Sequence, residues 1–309
     1  TVNFVRTIHK DHSIDVMLGT STYEAQWEHS YISVKDLPFN SKWHNIKSAG
    51  TEVARESWEG RDRLVSFMGR FNYSYKDKYL FTVTGRADGS SKLAQGHKWG
   101  FFPSAAIAWR VTEEGFLKDN SVINNLKLRL SYGESGNNAV DNYSTILGTS
   151  STQYDFDGTN ANGQYLNRIK NDKLGWEKSK EINLGLDFAL WGGRLAGNVE
   201  LYNKKTYDLI LSQKIPQTNG FDNVGAVNVG ATRNKGLEIG LNTQTKDFSW
   251  TTNLSFATNK NEITEIFGDS KDYPDQKLFI GQPVLVHYDY AWDGIWQTSE
   301  KDEASKYGR

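Results

Sequence analysis

The residues able to do chemistry in this chain are few. The six histidines, His9, His12, His29, His44, His97 and His287, form no HExxH pair and no other ligand spacing, so neither a metal site nor metal catalysis is expected. Asp155, Asp157 and Asn160 sit in DFDGTN, which lacks both the D-x-D-x-D-G run and the closing glutamate of a calcium loop; the segment reads as a solvated turn. Gly133 and Gly136 precede no helix and cradle no phosphate. No Ser/His/Asp constellation can be assembled, and the absence of cysteine removes disulfides, thiolate ligands and a cysteine nucleophile. No catalytic residue, no metal and no cofactor is therefore expected, and the chain is not read as an enzyme. What remains is chemistry of contact. Trp27, Trp43, Tyr154, Asp155 and Phe156 combine aromatic faces that stack on sugar rings with polar atoms that bind hydroxyls. The plainer alternative is that these side chains pack the loops against one another or against a partner.

The elements that must position these groups are strands. In 309 residues there are 36 Lys+Arg and 37 Asp+Glu, a balance that gives no reason to expect nucleic acid as a partner. Aromatic residues make up 13% of the chain, with 28 Gly and only 5 Pro, a mixture that favours a β protein. No run approaches the ~20 apolar residues of a spanning helix. Period-two alternation recurs instead. Val65, Phe67, Phe71, Tyr73 and Tyr75 alternate with Ser66, Arg70, Asn72 and Ser74. The same pattern sets Phe81 and Val83 against Thr82, Thr84 and Arg86, and Ile107 and Trp109 against Arg110. It also sets Leu126, Leu128 and Leu130 against Lys127 and Arg129, and Ile182, Leu184 and Leu186 against Asn183 and Asp187.

Connections alternate between short (Lys10–His12, Lys76–Lys78, Thr112–Asn124, Trp191–Gly193, Lys246–Asp247) and long (Gln26–Arg61, Gly89–Lys98, Glu134–Lys178, Asp208–Asn234, Asn261–Pro283). About eleven strands of roughly 9–13 residues suit a tilted bilayer crossing. The expected class is all-β: an antiparallel meander forming part of a large transmembrane β-barrel, with short periplasmic turns and long extracellular loops. An arginine on the lipid face would cost ~2–4 kcal/mol near the midplane. Arg70, Asn72, Arg86, Arg110, Lys127, Arg129 and Asp187 are accordingly expected to face the lumen.

One long stretch carries a family resemblance. LVSFMGRFNYSYKDKYLFTVTGRADGSSKLAQGHKWGFFPSAAIAWRVTEEGFLKD, from Leu64 to Asp119, resembles the barrel of SusC/RagA-type TonB-dependent transporters of Bacteroidetes. LKLRLSYGESGN from Leu126, the segment from Leu174 to Leu211, NVGATRNKGLEIGLN from Asn228, FSWTTNLSFATNKNEI from Phe248, GQPV at Gly281 and GIWQTSE at Gly294 follow in the family's order. Leu93 stands where that family usually has Phe.

The resemblance implies that residues 1–309 are a middle-to-late part of a larger barrel, without plug, TonB box or N-terminal extension, and that such a piece does not fold or transport alone. It further implies a place in the cell outer membrane, in contact with its lipid. It implies a SusD-like surface lipoprotein as lid, the TonB complex acting through an N-terminal part, and an oligosaccharide or peptide as cargo. The rival readings are a signalling or adhesion receptor on the same barrel, and a soluble aromatic-rich carbohydrate-binding β protein.

Overall fold

The computed structural model describes the whole chain except residues 40–44, 119, 215–217, 219–222, 246–249, 270, 293 and 307–309. Ten strands form one antiparallel sheet in the order β1 (Val2–Ile8), β2 (His12–Lys35), β3 (Thr51–Tyr75), β4 (Tyr79–Ser90), β5 (Trp99–Arg110), β6 (Ile123–Asn137), β9 (Glu177–Leu190), β10 (Leu195–Tyr207), β13 (Ala231–Gln244) and β14 (Thr251–Glu265). β1 and β14 are its two edges, so the curved wall is open. A second, four-stranded sheet is built from the two longest connections: β7 (Gly148–Phe156), β8 (Thr159–Arg168), β11 (Ile210–Lys214) and β12 (Asn223–Asn228).

The meander therefore has ten strands rather than about eleven, and two of them run to nearly twice the expected length. β2 and β3 run for 24 and 25 residues and pair without interruption from His12↔Tyr75 to Ser33↔Ala54. Most of the expected loop between Gln26 and Arg61 is thus an arm of two strands, and the true connection is residues 36–50. β4 joins β3 only from Leu64 onward, and β1 joins β2 only as far as Leu18. Beyond them the arm continues as a two-stranded ribbon for about 40 Å, at ~3.3 Å per residue, its base met by the long connections, where Lys92 Nζ lies 3.5 Å from Asp62.

The register fixes two faces. One carries Phe67, Phe71, Phe81, Val83, Ile107, Trp109, Leu128, Leu130, Ile182, Leu184 and Leu201, all more than a third exposed. An apolar surface that extensive far exceeds the patches of soluble monomers and needs a non-aqueous neighbour. The opposite face is polar.

At the short-connection rim Glu114 gathers aromatic hydroxyl and indole donors. Tyr79 Oη donates to Glu114 Oε1 at 2.6 Å, Trp109 Nε1 donates to the same oxygen at 3.2 Å, and Lys78 Nζ lies 3.3 Å from Oε2. The Tyr79 hydroxyl, followed by the Trp109 indole, holds the Glu114 carboxyl below the usual glutamate range. A depressed folded-state pKa contributes stability that is present above the unfolded value and lost as pH falls through the folded one. Unfolding of the full-length protein followed against pH should therefore show an acid limb below the ordinary glutamate range, flattened in Glu114→Gln; identical acid limbs would show that this rim adds nothing.

Candidate functional site

The polar face is cross-linked between strands. Arg129 Nε and Nη2 donate to both oxygens of Asp187 at 2.9 and 2.8 Å, and Nη2 also reaches Glu200 Oε1 at 2.9 Å. Asn183 Nδ2 donates to Glu200 Oε2 at 3.1 Å. Gly185, paired with Arg129 across β6 and β9, makes this possible, because a Cβ there would lie 2.8 Å from the guanidinium carbon.

Nearer the long connections, Arg86 Nε donates to both Asp88 oxygens at 2.8 Å and Nη2 donates to Ser66 Oγ at 2.9 Å. Thr82 donates to Asn72 Oδ1 at 2.9 Å, and Asn72 Nδ2 donates to Asp15 at 3.3 Å. Arg70, Arg110 and Lys127 share this face by register, and Arg110 donates to the Asp77 carbonyl at 3.5 Å. Sequence reasoning put Ser66 on this parity but missed Glu200 and Asp15; the same alternation on GNVELYNKK would have placed Glu200.

Arg129 is the keystone of the largest network. Removing it leaves two carboxylates on neighbouring strands without their counter-charge. Arg129→Met in the full-length protein is expected to cost about 2 kcal/mol, read as a fall in the denaturant midpoint in vesicles. Adding Glu200→Gln to that variant should restore part of the loss. If the double variant is no more stable than the single one, the charge argument fails.

The arm exchanges the character of its faces. Below Leu64 the polar-face register carries Ser66, Met68, Arg70 and Asn72; above it, the same register carries Asp62, Gly60, Trp58 and Glu56, opposite Ala25, Trp27, His29 and Tyr31. The other register changes from Val65, Phe67 and Phe71 to Arg63, Arg61, Glu59 and Arg55. There Glu24 binds both Arg61 and Arg63, the latter at 3.2 Å. The charged side of the arm is thus continuous with the apolar side of the wall, and its aromatic side with the polar side of the wall. The His29 ring stacks on Trp58 with centroids 4.0 Å apart, and Trp27 lies over Gly60 where any Cβ would collide with the indole.

Trp27, expected on a loop, therefore sits on a strand, and Trp43 lies outside the described residues. Tyr154 and Phe156 occupy one face of β7, with centroids 6.2 Å apart. Asp155 points from the opposite face, so the expected trio does not converge. The reason is the two-residue repeat of a strand. Asp157 and Gly158 turn β7 into β8, both with positive φ (53° and 76°), as the solvated-turn reading requires.

The long connections are held together by a small core at the rim. Leu93, Ala94, Phe102, Val140, Leu174 and Trp176 are all buried there, and Phe102 enters from the polar-face register of β5. Trp176 meets Phe102 edge-on at 5.3 Å and donates from Nε1 to the Lys98 carbonyl at 2.9 Å. Asn228 Nδ2 donates to the Gly175 carbonyl at 3.0 Å, while Asn228 Oδ1 accepts from the Gly175 amide at 2.7 Å.

Residues 5–304 match the family described as TonB dependent receptor-like, beta-barrel. The chain belongs to this TonB-dependent receptor family. It is 34% identical over 301 residues to TonB-dependent receptor P3 of Formosa agariphila, covering 93% of this chain and 30% of that protein. It is 40% identical over 222 residues to TonB-dependent receptor SusC of Bacteroides thetaiotaomicron, covering 69% of this chain and 22% of SusC. Among solved structures, the RagAB peptide transporter superposes with a TM-score of 0.80 at 25% identity, over 91% of this chain and 32% of the other. The chain thus spans about a third or less of each of these relatives. In this family the meander is a stretch of barrel wall of the SusC and RagA kind, and the open edges at β1 and β14 are those of a partial barrel.

Proposed function

We propose that this chain is part of the wall of an outer-membrane importer energised by TonB, with the apolar face against lipid and the polar face lining the lumen. The observation that carries the reading is the division of one continuous sheet into an exposed aliphatic and aromatic face and a face cross-linked by Arg129, Asp187 and Glu200. A soluble carbohydrate-binding protein has no use for the first of these. The long connections and the arm form the extracellular mouth, where Trp27, Tyr154 and Phe156 meet an oligosaccharide or peptide. Asp155 contributes from the other side of its hairpin. A SusD-like lipoprotein closes over this mouth, and TonB acts through parts of the full-length protein outside these 309 residues. Arg70, Asn72, Arg86, Arg110, Lys127, Arg129 and Asp187 hold the plug or line the route. The SusC and RagAB likenesses support this arrangement.

The test is uptake of fluorescent oligosaccharides and peptides by cells carrying the full-length gene, with and without the partner lipoprotein and with and without TonB. Uptake that needs both supports the reading. Uptake indifferent to TonB removes the importer, and uptake indifferent to the lipoprotein removes the lid.

A further inference from the structure

Just beyond the apolar band, toward the long connections, the outward register turns basic. On β9 it runs Leu184, Ile182, Lys180, Lys178; on β10 Leu201, Asn203, Lys205; on β13 Leu237, Lys235, Arg233; and on β14 Phe256, Thr258, Lys260. The pairing makes Lys180, Lys205 and Arg233 direct neighbours across three strands, and sets Lys235 opposite Lys260. Like charges placed directly opposite one another destabilise a sheet. Relief from within the chain is incomplete. The register places Glu134 opposite Lys180 and Glu262 opposite Arg233, yet neither closes an ion pair with that cation among the described residues. Glu134 instead accepts the Tyr132 hydroxyl, and Glu262 pairs with Lys260 at 3.3 Å. Lys180 leans over the Tyr207 ring at 4.9 Å, and Arg233 Nε donates to Asn203 at 2.9 Å. Among these side chains is a cavity of about 290 Å³ lined by Tyr132, Lys180, Ile182, Asn203, Lys205 and Arg233, together with Glu181 and Thr264. Three of its lining residues are cations and one is a carboxylate, so the lining is net positive.

We propose that this is a binding site for a phosphate-bearing lipid of the outer leaflet. Its phosphate neutralises Lys180, Lys205 and Arg233, and its acyl chains run down over Ile182, Leu184, Leu201 and Leu237. The amphipathic form of the ligand follows from the order of residues along each strand, cations first and aliphatics below. Charge complementarity gives its sign, because three adjacent cations across three strands need an anion. The inference rests on the membrane-wall reading above, since only then does the outward register meet lipid.

The experiment uses the full-length protein in detergent, native mass spectrometry and bisphosphorylated lipid A as probe, with dephosphorylated lipid A and inorganic phosphate as the comparison arms. The wild type should retain the phosphorylated lipid through detergent exchange. Lys180→Gln/Lys205→Gln/Arg233→Gln should hold it about ten-fold or more weakly, and Lys205→Arg should bind as the wild type does. Equal retention by the triple variant, or of the dephosphorylated lipid, overturns the proposal. So does displacement by millimolar inorganic phosphate, which would make the site one for the free ion.

A second readout does not depend on retention. Without anionic lipid, Lys205→Gln should raise the melting temperature by relieving repulsion, and with lipid A present it should lower it relative to the wild type; a shift of the same sign in both conditions would overturn the proposal. Outer-membrane insertion and TonB-dependent uptake by the wild type, measured in parallel, report on the importer reading separately. Their absence would remove that reading, whereas their presence without lipid retention would remove only this site.

Discussion

Replacing Trp176 with alanine is expected to open the long-connection rim while leaving the strands below it paired. The indole is 7% exposed, packs edge-on against Phe102 and donates to the Lys98 carbonyl. Removing a large buried aromatic costs ~3–5 kcal/mol. Leu93 and Leu174, its companions in the rim core, are 1% and 0% exposed and have little freedom to fill the space. The loss falls on a local unit, because this core ties residues 91–98, 138–176 and 208–230 to one another and to the ladder only at its rim, through Phe102 of β5 and Leu64 of β3. Limited proteolysis of the full-length protein should therefore cut these connections roughly a hundred- to a thousand-fold faster, in line with a rim that opens more often. The heat-resistant barrel band on gels should persist. An unchanged cleavage rate would show that something outside these residues holds the rim.

Leu184→Arg is expected to impair membrane assembly by ~2–4 kcal/mol, the cost of a cation on the lipid face near the midplane. Leu184 is nearly half exposed and pairs with Leu130 on one side and Leu201 on the other. The controls lie on the same strand. Lys180, four residues along on the same face, is already a cation beyond the apolar band, so Lys180→Arg should be neutral. Asn183→Arg, on the polar face, should cost little beyond the hydrogen bond to Glu200. The measurement is the folded fraction and the denaturant midpoint in lipid vesicles. Equal losses for Leu184→Arg and Asn183→Arg would mean that the apolar face is not the lipid face.

Much of this was legible because strand parity is a rigid rule. Arg129 and Asp187 were readable as sharing one face from LKLRLSY and INLGLDF alone, since each alternation leaves a charged residue no other side, whereas their adjacency depends on the register of β6 against β9. The length of β2 and β3 was not. Alternation continues through residues 24–33, but with Tyr23, Trp27, His29 and Tyr31 on the register that carries polar residues below, so the exchange of faces reads as a loss of pattern. The second sheet was hidden differently. GTSSTQYDF and TNANGQYLNR carry few apolar residues, and their strands are specified by pairing through the Asp157–Gly158 turn and not by burial. The same parity rule divides the candidates Tyr154 and Phe156 from Asp155, because adjacent residues of a strand cannot share a face.

The exchange of faces along β2 and β3 also limits how the arm can change in length. An insertion of two residues in each strand above Tyr23 and Leu64 would lengthen it by about 7 Å and leave every aromatic on its own side. A single inserted residue would turn all that lies beyond it through half a turn, presenting Trp27 and Trp58 to the outside and Glu24 and Arg61 to the mouth. The shift between Ser33 and Val34 lies close to the tip, where almost nothing remains beyond it to be turned. Grafts that shorten or extend the arm should therefore come in even steps, and odd ones only beyond that shift.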